Sequence, residues 1–174
     1  VIAAAGNSGP DPHTIGAPAD APSAIAVGAA LDPTHVSDFS SRGPTDDGRV
    51  RPDVLAPGEF IVSWGVPDSE IYPQAEAFTL LRSMPAHQLK EFVAERPQLL
   101  EALGMPADLL ERSDAEFEQV FKGGLPPLYV TPDGNVAGPG TSFAAPLTSG
   151  IAASLEQVKD LQPEEMRHLL TASA

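Results

Sequence analysis

The chain has 174 residues, a formal net charge of −14 and no cysteine, which excludes disulfides, thiolate chemistry and cysteine-based zinc sites. An acidic balance with pI near 4.4 makes nucleic acid a poor partner, because phosphate binding needs a basic surface. No run approaches the ~20 apolar residues of a membrane helix, and these 174 residues include no signal peptide, whereas one on a longer parent chain would lie outside them.

The chain opens on Val1-Ile2-Ala3-Ala4-Ala5, an apolar run closed by Gly6-Asn7-Ser8-Gly9-Pro10, which reads as a strand entering a turn. Ser23 to Ala29 is a second such run, and Val54-Leu55-Ala56 and Phe60 to Trp64 follow, separated by Pro57-Gly58. Runs that are apolar on both faces suit strands buried between helical layers, as in parallel sheets.

From 66 to 128 the character changes. Leu89, Phe92, Val93 and then Leu99, Leu100, Leu103 recur at helical spacing, interrupted by Pro85, Pro97 and Pro106. Several short amphipathic helices are expected, the last capped by Ser113 and Asp114 and ended by Gly123-Gly124. Their Leu and Phe stripe reads as the core of a small helical subdomain. Tyr129-Val130-Thr131 is then a short strand and Pro132 to Asn135 a turn. Ser142 to about Gln157 is an Ala-rich helix, and Pro163 to Thr171 another, with Glu164 and Glu165 in its first turn. Both ends of the chain read as cuts through a fold.

Ser142 stands between a glycine-led turn and the start of that Ala-rich helix, at the positive end of its dipole. A nucleophilic oxygen and a developing oxyanion are both stabilised there, whereas a lone serine at a helix start is ordinarily only a cap. The surrounding Gly140-Thr141-Ser142-Phe143-Ala144-Ala145-Pro146 and the upstream Ala4-Ala5-Gly6-Asn7-Ser8-Gly9 resemble signatures of the subtilisin-like serine proteases, or subtilases. Three stretches between them fit the same family in the same order: Ala21 to Ala29, Phe39-Ser40-Ser41-Arg42-Gly43-Pro44, and Arg51-Pro52-Asp53-Val54-Leu55-Ala56-Pro57-Gly58.

The resemblance implies an α/β fold: a subtilisin-like three-layer sandwich with a mostly parallel sheet, here partial and with a helical insertion. Residues 1–65 and 129–174 are then the C-terminal part of a catalytic domain, and 66–128 the insertion. It also implies catalytic roles for Ser142 as nucleophile and for Asn7, whose amide points at the oxyanion. Ala4, Ala5, Gly6 and Thr141 are the implied substrate-binding residues, on a polypeptide substrate. The family's histidine base and its aspartate lie upstream of the asparagine. Here His13, His35, His87 and His168 are the only histidines, and none sits in a His-Gly-Thr setting. The N-terminal half of the same catalytic domain is therefore an expected partner, and the chain alone should be inactive.

No cofactor is implied. Asp11, Asp20, Asp46, Asp47 and Asp53 lack EF-hand-like spacing and read as solvated loop charges, with structural calcium left open for the parent protein. A pseudoprotease or interaction module keeping the fold is the alternative function. An α/β-hydrolase reading lacks its G-x-S-x-G elbow. The resemblance alone implies an extracellular or secreted protein.

Overall fold

The computed structural model describes residues 1–172, which divide into two compact units, one of residues 1–61 with 139–172 and one of residues 62–138. The first unit is built on a sheet of four strands. β1 (Ile2–Ala4) and β4 (Val54–Pro57) pair in parallel with the long central β2 (Ile25–Asp32), and β3 (His35–Val36) folds back antiparallel onto the end of β2. The register sets Ile2 against Ile25 and Val27 against Val54.

Because strand side chains alternate between faces, β2 serves two cores at once. Ile25 and Val27 point to a cluster with Val54, Ala56, Ala144, Ala145 and Leu170, under α5 (Thr141–Val158) and α6 (Pro163–Ala172). Ala24 and Ala26 point the other way, where Ala3, Ile15, Ala19 and Ala21 close the opposite face. Apolar residues on both faces thus do give a mainly parallel, doubly covered sheet. The second cover is supplied by the loop from 10 to 24, which holds no helix.

The strands are also tied by charge. Asp53, at the head of β4, accepts a hydrogen bond from the Ala26 N–H (2.6 Å), pairs with the buried Arg51, and meets Arg167 of α6 at 3.0 Å. Arg167 in turn donates to the Ala24 carbonyl at 2.8 Å. One carboxylate therefore joins β2, β4 and α6.

At the β2–β3 turn, hydrogen bonds from the Thr34 hydroxyl and N–H, and then from His35, hold the pKa of the exposed Asp32 carboxyl at about 2. A carboxyl lowered from 3.8 stabilises the turn above pH 3.8, and that contribution is lost as pH falls through 2. In an NMR titration Thr34→Ala should bring the Asp32 midpoint back toward 3.8. An unmoved midpoint would refute this account.

The second unit carries its own core. α1 (Ile71–Ser83), α2 (Ala86–Ala94), α3 (Gln98–Ala102), a 3₁₀ turn (Ala107–Glu111) and α4 (Asp114–Gly124) pack Leu81, Leu89, Val93, Leu100, Leu109, Phe117, Phe121 and Leu125 together. The Leu and Phe stripe is core, as the spacing suggests. Ser113 caps α4 in a capping box whose other half is Glu116, while Asp114 is the first helical residue. A three-stranded sheet in the order β5 (Ile61–Ser63), β7 (Val136–Gly138), β6 (Tyr129–Val130) completes the unit.

Phe117 and Phe121 are fully buried and stacked with ring centroids 5.4 Å apart. Phe117→Ala should destabilise the unit by about 3–5 kcal/mol, read as faster amide hydrogen exchange across α2 and α4. Unchanged protection there would show that the stack carries no such weight.

Among the described residues no helix is long and apolar enough to cross a membrane.

Candidate active site

Ser142 is the second residue of α5, exposed, at the end of the helix where unpaired N–H groups leave a partial positive charge. Gly140 precedes the helix, and its backbone N–H donates to the Gly58 carbonyl at 2.8 Å. A β-carbon at Gly140 would lie 2.9 Å from Ser142 Oγ and 3.6 Å from Asn7 Nδ2. A side chain at this position, whose φ is +157°, would push against the Ser142 hydroxyl. The same construction shows that the Ser142 hydroxyl and the Asn7 amide nitrogen flank one point in space, although 135 positions separate them in sequence.

Thr141 brings these two groups together. Its backbone N–H (2.9 Å) and its hydroxyl (3.0 Å) both donate to Asn7 Oδ1, and its hydroxyl oxygen accepts from the Gly6 N–H (3.2 Å). An amide whose oxygen is engaged twice has its orientation fixed, and none of the described hydrogen bonds uses its Nδ2. Thr141 itself is 1% exposed. Its hydroxyl is spent on the protein, while its neighbours Ser142 and Asn7 remain open to solvent.

The other expected site residues are placed as follows. Ala4 is half-buried, the last residue of β1, packed toward the α5 side. Ala5 is fully buried, and its N–H donates to the Val27 carbonyl at 2.9 Å. Gly6 has φ +110°, in the range that favours glycine, and carries the chain from β1 to Asn7. Ala5 therefore reaches a ligand through no exposed atom; Gly6 and Asn7 form the accessible turn.

Sequence reasoning gave no role to Ser41, which is buried and braces this turn. Its hydroxyl accepts from the Ser8 N–H (3.1 Å) and its own N–H donates to the Gly6 carbonyl (2.9 Å). Nor did it foresee the Arg51–Asp53–Arg167 cluster. Ser41, Arg51 and Asp53 lie in motifs that match the family, yet a motif gives residue identity and not hydrogen-bond partners.

Among the described hydrogen bonds, none joins a histidine to Ser142. His35 is occupied by Asp32 and Thr34, His13 and His168 are exposed on a loop and on α6, and His87 lies in α2. The acidic residues do not converge either: Asp53 pairs with arginines and Asp47 with Arg49. Among the described residues no group of three or more His, Asp or Glu could hold a metal ion.

What the described atoms offer here is the Ser142 hydroxyl and the Asn7 amide nitrogen about one point, beside the start of α5. Donors aimed at one point are what stabilise a developing oxyanion.

Known proteins share both sequence and fold with this chain. The sequence model of the subtilase family matches residues 1–90 and 128–174. The serine protease AprX of Bacillus subtilis (strain 168) is 33% identical over 178 aligned positions, which cover 98% of this chain and 29% of AprX. Two solved structures share the fold. S41 psychrophilic protease aligns with TM-score 0.51 and 24% identity over 98% of this chain and 38% of its own. Sphericase aligns with TM-score 0.54 and 23% identity over 99% and 39%. The chain thus spans less than a third of the AprX relative's length, and on the family match and the AprX identity together it belongs to the subtilase family.

Proposed function

We propose that this chain supplies the nucleophile and the oxyanion donors of a serine endopeptidase, with the histidine base and its orienting aspartate carried by polypeptide outside it. The observation that carries the reading is the convergence of Ser142 Oγ and Asn7 Nδ2 beside Gly140. Ser142 Oγ attacks the peptide carbonyl carbon while its proton passes to the histidine. The carbonyl oxygen becomes an oxyanion held by Asn7 Nδ2–H and the Ser142 N–H. Collapse expels the amine, which takes the proton back from the histidine, and water then releases the acyl group from Ser142. Gly6 and the end of β1 at Ala4 and Ala5 are read as the floor beside the substrate residue that precedes the scissile bond. Thr141 acts there by fixing Asn7.

A partner surface supports the division of labour. Thr141 to Leu155 contains no charged residue, yet Leu147 and Ile151 are exposed on α5. The hydroxyls of Thr148, Ser149 and Ser154 are turned back onto carbonyls four residues earlier, which leaves a face poor in free polar groups. Such a face suits cover by the remainder of the catalytic domain. On this reading residues 66–128 are a helical insertion in that domain. The substrate is polypeptide, and family kinship alone supports an extracellular location.

Labelling of the full-length protein by a fluorophosphonate tests the proposal, since the probe needs an activated serine. A folded parent that stays unlabelled is inactive, and the enzymatic reading then fails.

A further inference from the structure

The helical unit spends all its cations internally. Among residues 62–138 there are five lysine and arginine side chains and twelve acidic ones. Lys90 pairs with Asp114, Arg96 with Glu95, Arg112 with Asp108 and Lys122 with Glu118, each at 3.1 Å or less. Arg82, the fifth, donates to the carbonyls of Leu125, Pro126 and Leu128. The charge left over is therefore negative. Glu91, Glu101 and Glu111 form no ion pair among the described residues.

One of these carboxylates lines an apolar groove. Pro97, Leu100, Met105, Ala107 and Leu110 enclose about 600 Å³, with the exposed Glu101 among them. Leu100 is part of the unit's core and Met105 and Leu110 pack against it, so the floor is fixed by folding. Met105 adds a flexible thioether that adapts to the shape of what it meets. A neutral apolar ligand would use the floor but not the field, and an acidic one would meet repulsion from Glu101 and from the negative balance of the unit.

We propose that this groove docks a segment of the polypeptide substrate in which a leucine or phenylalanine stands beside a lysine or arginine. The apolar side chain enters between Leu100, Met105 and Leu110, and the cation meets Glu101. The helical unit is in this sense a second substrate contact apart from Ser142. That the ligand is substrate rests on the peptidase reading above; the groove and its charge do not.

The test uses the full-length protein carrying Ser142→Ala, so that nothing is cleaved, and a fluorescein-labelled peptide of alternating leucine and lysine read by anisotropy. Ala107→Trp, which fills the groove without altering charge, should weaken binding about tenfold or more. Glu101→Lys should weaken it about fivefold. Glu76→Lys changes net charge equally, on an exposed position of α1 that does not line the groove, and should leave affinity within about twofold.

Equal affinity in all variants overturns the proposal, and so does an equal loss in Glu76→Lys, which would make the attraction diffuse. Sedimentation gives the remaining arm. If groove variants dissociate a self-associated form while peptide affinity holds, the occupant is a second copy and the proposal fails. Fluorophosphonate labelling of the protein with Ser142 intact keeps the two readings separate. Groove-dependent binding without labelling removes the peptidase and retains the docking site, and labelling without groove dependence removes only the docking site.

Discussion

Ser142→Ala in the full-length protein should lower kcat by about 10⁶-fold while leaving KM nearly unchanged, the size of loss seen when a subtilisin is stripped of its nucleophile. The size reflects what one atom does. In the proposed mechanism Ser142 Oγ forms the acyl bond, and a methyl group in its place can neither attack nor give up a proton. The rest of the site survives, because Ser142 is exposed and makes no hydrogen bond through its side chain among those described. The variant should therefore fold and bind substrate while failing to react with a fluorophosphonate. Retention of even a tenth of the parent's turnover would remove Ser142 from the chemistry.

The second large effect belongs to Asn7. Asn7→Ala should reduce kcat by about 10²–10³-fold with little change in KM, since the donor it removes meets a charge that exists only in the transition state; a subtilisin lacking its oxyanion asparagine sets this scale. Thr141→Val separates positioning from donation. It removes the hydroxyl that donates to Asn7 Oδ1 and accepts from the Gly6 N–H, but keeps the backbone N–H that also holds Oδ1. A smaller loss, about tenfold in kcat, is expected, along with lower stability because the partly buried Gly6 N–H loses its acceptor. An Asn7→Ala enzyme with full turnover would exclude the amide from the mechanism. Equal losses in the two variants would mean that Thr141 acts on the reacting atoms directly.

The long apolar elements were legible because their periods are strong. β1, β2 and β4 follow from continuous apolar runs bounded by Gly and Pro, and α5 and α6 from an Ala-rich stretch and from Pro163 with two glutamates. Two short strands were not. β3 is two exposed residues with no apolar alternation, and β7 is Val136-Ala137-Gly138 between turn-forming neighbours, made a strand by its partners rather than by its own sequence. The α4 cap was half legible: Ser113 is a recognisable start, but its reciprocal partner is Glu116. At the site, Ser142 and Asn7 stand in recognisable motifs. The Thr141 bonds that unite them span 134 residues, and no local pattern encodes a contact of that separation.

The Gly140 to Gly58 hydrogen bond closes a neck through which everything between the two glycines leaves and re-enters the first unit. Whatever is threaded through such a neck starts and returns at a fixed pair of anchor points. Two glycines tied by one hydrogen bond thus hold both ends of that segment at one place, two residues ahead of Ser142.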